Sequence, residues 1–361
     1  MKVLIIDDIP DTVKGIVDAC AEKGWEEKTV EFSDSYGAIL DFDPDVVILD
    51  WKQDADDDDV GEKVLDKIWG IAFRPIIVFS ANAAVINIDE KLKQSNMLSL
   101  ISKGDEDPVI SKLTDIEKVA TSLASYRKTL GDALISSINS VDILKNVSSE
   151  ETEAVKYVLS KRTAAFFDDQ CMSALAPAWV EYICPPISSS LNVCDIIRNN
   201  NDPGTAFCAG DPEEYWVVLT PSCDLCSHDD TPARVTHVLC AQCNKKELFH
   251  SMGLSSNPTD RQITRVKSFL TQGYNDALVS LPGFTCVLPY MSVELKKTQL
   301  IPLTDIATSS SSVSETTKYI RIASVSSPFR EQIVWAHMLN SCRPGVPDRN
   351  FDLWAKELLT Q

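Results

Sequence analysis

Four short apolar runs punctuate the first hundred residues, and each closes on a polar end. They are Leu4-Ile5-Ile6-Asp7-Asp8, Val46-Val47-Ile48-Leu49-Asp50, Ile76-Ile77-Val78-Phe79-Ser80 and Ser99-Leu100-Ile101-Ser102-Lys103. Their length and β-branched content predict buried strands, and the stretches between them have helical character. Helices are expected over residues 12–23 (ended by Gly24), 59–69 and 88–94, and a further strand near 30–32. Strands alternating with helices over residues 1–128 describe βαβ units on a doubly wound, five-stranded parallel sheet, an α/β fold. In such a sheet the carboxyl ends of the strands share one edge, where ligands bind, so the four polar ends are expected to meet in space.

From about residue 114 the period changes. Val119, Leu123, Tyr126, Leu130, Ala133, Ser137 and Leu144 fall close to alternating steps of four and three, which predicts a long helix with an apolar seam. Its start covers the sheet. Beyond 128 it is expected to be a linker helix or helical hairpin that docks on the next domain or forms a homodimer through residues 114–146. Ser148-Ser149-Glu150-Glu151 reads as an N-cap with acidic first-turn residues, opening a second helix to about Phe167. Residues 129–168 are thus a helical linker. The chain from 169 to 361 is rich in Cys, Pro, Ser and β-branched residues. Strands are predicted at 215–220, 235–239, 284–288 and 318–324, and closing helices at 329–339 and 351–359, giving a mainly β (α+β) domain.

Composition narrows the function classes. The formal net charge is −19 and the pI is near 4.6, the opposite of the basic footprint of a nucleic-acid binder. No apolar run reaches the roughly 18–20 residues that span a bilayer, and Met1-Lys2-Val3-Leu4 begins a strand rather than a signal peptide. A cytoplasmic protein without membrane partners is expected. Its 11 cysteines are then expected to be thiols or metal ligands rather than disulfides.

The order of the four strand ends (acidic pair, aspartate, hydroxyl, lysine) carries a specific chemistry. An aspartate carboxylate can form an acyl phosphate, and phosphoryl transfer needs chiefly positioning and charge neutralisation. Carboxylates suit Mg²⁺, a hydroxyl can bond a phosphate oxygen, and a lysine can pair with another. These endings resemble the response-regulator receiver domain, a flavodoxin-like fold. The resemblance covers about a third of the chain. It implies that Asp50 is the phosphoryl acceptor with Ser80 and Lys103 beside it. It also implies that Mg²⁺ is held by Asp7, Asp8, Asp50 and the main-chain carbonyl of Lys52, and that a histidine kinase or phosphotransfer protein is the donor. Three features depart from the family pattern: Gly104 stands where a proline usually follows the lysine, Leu100 replaces an aromatic residue, and the loop after Asp50 carries the acidic run Asp54-Ala55-Asp56-Asp57-Asp58-Asp59.

A second constellation is Cys223-x2-Cys226 and Cys240-x2-Cys243, separated by thirteen residues. Two such knuckles suit tetrahedral Zn²⁺, with His228 and His237 nearby as substitutes. Buried thiols are the plain alternative. Cys223, Asp224, Arg330, Glu331 and His337 are candidates should the output be catalytic. The expected function is a phosphorelay response regulator that passes the state of Asp50 to a zinc-bearing module, which engages a protein partner. The alternatives are a receiver-controlled effector enzyme, a hydrolase or nuclease of the kind used in defence, and a degenerate receiver that only docks partners.

Overall fold

The computed structural model describes residues 1–51, 60–71, 73–81, 83, 86, 97–139, 152–169, 176–200, 210–226, 232–245, 257–275, 277–309, 312–314, 316–342 and 350–360, with backbone alone at 60–63, 71, 139 and 152. The chain divides into two compact units, 1–171 and 172–361.

The first unit is built on five parallel strands: β1 (Lys2–Ile6), β2 (Glu26–Val30), β3 (Val46–Leu49), β4 (Ile76–Ser80) and β5 (Leu98–Ser102), in the order β2-β1-β3-β4-β5. Successive side chains of a strand point to opposite faces, and both faces are buried. Val3 and Ile5 pack with Ile16 and Cys20 of α1 (Lys14–Glu22) and with Val109, Leu113 and Ile116 of α4 (Asp107–Asn139). Leu4 and Ile6 pack with Ala38 and Ile39 of α2 (Ser35–Phe42) and with Leu65 and Ile68 of α3 (Val60–Ile71). This double burial is why the strands read as continuous apolar runs rather than alternating ones. The expected doubly wound α/β fold is present. The second strand lies a few residues before the predicted 30–32, because Glu26–Val30 presents mostly polar, partly exposed side chains on the sheet edge. The predicted helix at 88–94 and the acidic run 54–59 lie outside the described residues.

The long helix α4 runs unbroken for 33 residues. Its first turns cover the sheet, and its later turns pack against α5 (Thr152–Asp168) as a helical hairpin. Ala133 and Ser137 are buried there, the Ser137 hydroxyl lies 3.3 Å from that of Thr163, and Arg162 Nε donates to the Ser137 carbonyl at 2.9 Å. Tyr126 stacks on Phe167 with ring centroids 5.7 Å apart. Part of the predicted seam is therefore satisfied within the chain, while Val119 and Tyr126 remain about half exposed. No helix among the described residues is long and apolar enough to cross a membrane.

The second unit is organised by an eight-stranded, mostly antiparallel sheet. It contains β6 (Tyr182–Ile183), β7 (Asp195–Asn199), β8 (Tyr215–Val218), β9 (His237–Asn244), β10 (Leu278–Leu281), β11 (Met291–Pro302), β12 (Ile306–Ala307) and β13 (Tyr319–Val325). The path is β10-β11-β9-β8-β7-β13-β12, with β6 also on β13 and β12 parallel to β13. Around it lie a helical turn, α6 (Ser222–Leu225), and the helices α7 (Asp260–Gln272) and α8 (Phe329–Ser341), while a further helix, α9 (Phe351–Leu359), is exposed along its length. A capping box at Thr259 and Gln262 starts α7, and Gly273, with φ +88°, ends it. One sheet face packs on Ile333 and Ala336 of α8, and the other holds a smaller core around Trp216, Val238 and Ile301.

The predicted strand at 284–288 is instead a tight loop closed by a bridge between Phe284 and Leu288, with Cys286 at φ 64°. Strand β11 escaped prediction because its middle, Glu294 to Gln299, is polar and carries an irregularity in register between Glu294 and Thr298.

A buried ion pair joins β7 to β13. Arg321 Nη1 lies 3.2 Å from Asp195 Oδ2, and both side chains are almost fully enclosed. Arg321 also donates to the carbonyls of Ser188, Ser190 and Thr308, while Ser324 Oγ and the Asn192 amide donate to Asp195. Burial raises the Asp195 pKa, against the pull of these donors. Removing one partner leaves a buried charge uncompensated. Arg321→Met should therefore destabilise the second unit by about 3–5 kcal/mol, whereas Arg321→Met with Asp195→Leu should recover much of the loss; denaturant unfolding of the three proteins checks this.

Candidate phosphoryl-acceptor site

The topology delivers the four strand ends to one edge. Asp7 and Asp8 follow β1, Asp50 follows β3, Ser80 ends β4 and Lys103 follows β5. Backbone bonds fix them: the Asp50 amide donates to Ile6 O (2.9 Å), the Asp7 amide to Val30 O (3.1 Å) and the Lys103 amide to Ser80 O (3.1 Å). The side chains then converge. Lys103 Nζ lies 2.8 Å from Asp7 Oδ2 and 2.9 Å from Asp50 Oδ2. Carboxylate oxygens of Asp7, Asp8 and Asp50 lie within 4.8 Å of one another, the one such metal-competent group of His, Cys, Asp or Glu among the described residues.

Each member has a distinct environment. Asp7 is buried, its Oδ1 accepting from the Ile9 amide (2.8 Å) and its Oδ2 lying 3.1 Å from the Thr12 hydroxyl. Asp50 is partly open, and among the described residues no hydrogen bond ends on its Oδ1. Asp8 faces solvent. Burial works against the Lys103 ammonium, but its bonds to Asp7 and Asp50 outweigh that and raise its pKa. Ser80 is buried, and its hydroxyl donates to the carbonyl of Trp51, the residue after Asp50 (3.0 Å). Thr12, on the turn Pro10–Val13, and the Trp51 carbonyl were not singled out from the sequence. A proline-led turn after an acidic pair is the signal that could have marked Thr12.

Gly104 has φ +132°, a conformation that side-chain-bearing residues rarely adopt. The chain thus turns sharply at the position where a proline was expected and enters α4 three residues later. Leu100, in place of an aromatic residue, is partly buried against the α2–α3 core. Gly15 lets the first turn of α1 approach the β5–α4 connection: a Cβ there would fall 1.8 Å from Glu106 Oε2. The Lys52 carbonyl lies outside the described residues.

A parallel sheet in the order β2-β1-β3-β4-β5, with the acidic cluster and lysine on its carboxyl edge, decides the architecture. The N-terminal third has the receiver fold. Similar solved structures align with this region. They include the N-terminal domain of a response regulator/sensory box/GGDEF three-domain protein from Carboxydothermus hydrogenoformans (18% identity, 36% of this chain and 99% of that one, TM-score 0.28). A two-component response regulator from Clostridium difficile (23%, 33% and 96%, 0.27) and a CheY-like receiver domain from Methylobacillus flagellatus (14%, 33% and 98%, 0.27) are two more. No protein-family model and no curated protein matches the chain.

The four cysteines of the expected zinc knuckle do not converge. Cys240 and Cys243 both lie on β9, and their side chains enter separate cores on opposite faces of the sheet. Burial pushes the Cys240 thiol up to about 12 and raises that of Cys243 as well. Cys223 is exposed on the turn α6, and Cys226, extended just past that turn, is partly so. The interval resembles a knuckle, but a step of three along a strand carries the side chain to the opposite face of the sheet, which separates the two thiols. His237 is exposed at the start of β9, and His228 lies outside the described residues. Of the candidates for a catalytic output, Arg330 and Glu331 pair with each other (3.1 Å) beside a shallow groove that Ser222 also lines. Asp224 lies 3.9 Å from Arg234, and His337 is near Ser341 on α8, away from that groove's lining.

Two predictions follow from these placements. Gly104→Ala should cost about 1–3 kcal/mol through backbone conformation alone, since its Cβ would meet open space; Gly37→Ala, equally open but inside α2, should be neutral or stabilising by about 0.5–1 kcal/mol. In native protein a maleimide should label Cys223, Cys286 and Cys342 within minutes and reach Cys240 and Cys243 only after denaturation; peptide mapping reads this directly.

Proposed function

We propose that the N-terminal unit is the receiver of a phosphorelay and accepts a phosphoryl group on Asp50, with a histidine kinase or phosphotransfer protein as donor. One observation carries this reading: the Lys103 ammonium bridges Asp7 and Asp50 while Asp50 Oδ1 accepts no hydrogen bond among the described residues. In the proposed step Oδ1 attacks phosphorus, the bond from phosphorus to the donor's leaving group breaks, and the leaving group departs with the electron pair. Lys103 then pairs with a phosphoryl oxygen instead of the carboxylate it now holds. Ser80 has only to turn its hydroxyl from the Trp51 carbonyl to bond another.

The acidic cluster fits Mg²⁺, which prefers carboxylate and water oxygens. Asp7, Asp8 and Asp50 would hold it, and it would supply neutralisation of the charge gathered on the phosphoryl oxygens. The role of the residues themselves is to keep that cluster assembled. The Ile9 amide and Lys103 offset the charge of Asp7, and the β1 and β3 backbones set the separation of the acidic pair from Asp50.

Transmission is proposed to run through α4. That helix begins four residues after Lys103 and continues without a break into its hairpin with α5, so a change in the Lys103–Gly104 connection tilts one rigid element. Two packings of that element would respond to Asp50 by population shift. The C-terminal unit is then the output, engaging a protein partner.

Incubated with acetyl phosphate and Mg²⁺, the wild-type chain should gain one phosphoryl group per molecule, seen by intact mass. Asp50→Asn should gain none, and Lys103→Met should lose at least about tenfold in rate through the missing charge. Equal labelling of Asp50→Asn would overturn the assignment.

A further inference from the structure

The second unit contains a cavity of about 550 Å³ that none of the functional assignments above uses. It lies between the turn at 178–181, the end of α7, the β10–β11 connection and the start of α8. Its walls are mainly apolar: Phe269 and Leu270 from α7, Pro282 and Tyr290 from the strand connection, and Phe329 from α8. Glu181 is the one charged side chain among the described residues that line it. The Glu181 backbone is anchored, its carbonyl accepting from the Ser326 amide at 2.8 Å. Its carboxylate meets no ion pair or hydrogen bond among the described residues. Tyr290 is held at the wall by its hydroxyl, 2.7 Å from Ser280 Oγ.

A carboxylate facing apolar walls without a counter-ion is costly. A neutral apolar ligand would leave that cost in place, and an anion would add repulsion. A cation removes it and also gains from the aromatic rings of Phe269, Phe329 and Tyr290. The net charge of −19 further favours cations in the surrounding field. We propose that this cavity binds an organic cation, an amine on an apolar body, with the Glu181 carboxylate as its counter-ion.

The charge state of the empty site agrees. Burial lifts Glu181 to about 7, and among the described residues the nearby titratable groups are the phenols of Tyr290 on the wall and Tyr182, which is buried and senses Glu181. A bound ammonium favours the ionised carboxylate, so binding near neutral pH releases protons. Affinity should rise from pH 6 to pH 8 as Glu181 ionises.

Calorimetric titration of the full chain with 2-phenylethylamine, 2-phenylethanol and 3-phenylpropionate tests this. At pH 8 the amine should bind about tenfold or more tightly than the alcohol, and the acid should not bind. Glu181→Gln should erase the preference for the amine while keeping or raising the unfolding midpoint, since it removes an uncompensated charge. On the wild-type chain, the binding heat at pH 7 should vary with the ionisation enthalpy of the buffer, which reads proton release without any variant. Absence of saturable amine binding, equal binding of amine and alcohol, or an amine preference retained by Glu181→Gln would each overturn the proposal.

Discussion

The organising constraint of the first unit is the direction of its strands. Five parallel strands put all their carboxyl ends on one edge, and three of the residues gathered there are aspartates. Their carboxylate oxygens lie within 4.8 Å of one another, and full charges that close near a protein surface repel by about 3–4 kcal/mol a pair, so the cluster exists only because something offsets it. Lys103 reaches from the end of β5 to Asp7 and Asp50 at hydrogen-bonding distance, and the Ile9 amide takes the other oxygen of Asp7. The two apolar layers, one on each face of the sheet, hold the strands in register, which fixes the spacing of the charges. Stability is thus exchanged for an edge that gathers three carboxylates around one ammonium, the arrangement on which the proposed phosphoryl acceptance rests.

Most of this unit was legible in the sequence because double-sided burial writes itself as uninterrupted apolar runs. β1, β3 and β4 are buried along almost their whole length, and their polar endings stand out against that background. β2 was misplaced for the opposite reason: an edge strand with polar side chains has no such signature. The contacts that tune the site were not legible either. The turn that brings Thr12 to Asp7, the Ser80–Trp51 bond and the sharp bend at Gly104 depend on backbone geometry, which composition does not encode.

The second unit shows how spacing misleads. Cys240 and Cys243 have the interval of a zinc knuckle, but on an extended strand that interval sends the side chains to opposite faces, each into its own core. The deciding information was the secondary structure of 237–244, and the apolar character of Val238-Leu239-Cys240-Ala241 pointed to a strand reaching further than was predicted. The same reasoning explains β11, whose polar centre hid a twelve-residue strand. Long-range devices such as the Arg321–Asp195 pair, 126 residues apart, leave no local trace. Nor does the cavity around Glu181, assembled from four separate stretches of chain.

What joins these observations to function is the open oxygen of Asp50 beside a bridging ammonium. Beryllofluoride mimics a phosphoryl group without needing a donor enzyme, so it probes that arrangement directly. ¹⁹F NMR of the chain with Mg²⁺ and beryllofluoride should show bound fluoride resonances that vanish in Asp50→Asn and on chelating the metal. No bound resonance at saturating beryllofluoride, or one that survives in Asp50→Asn, would contradict the account.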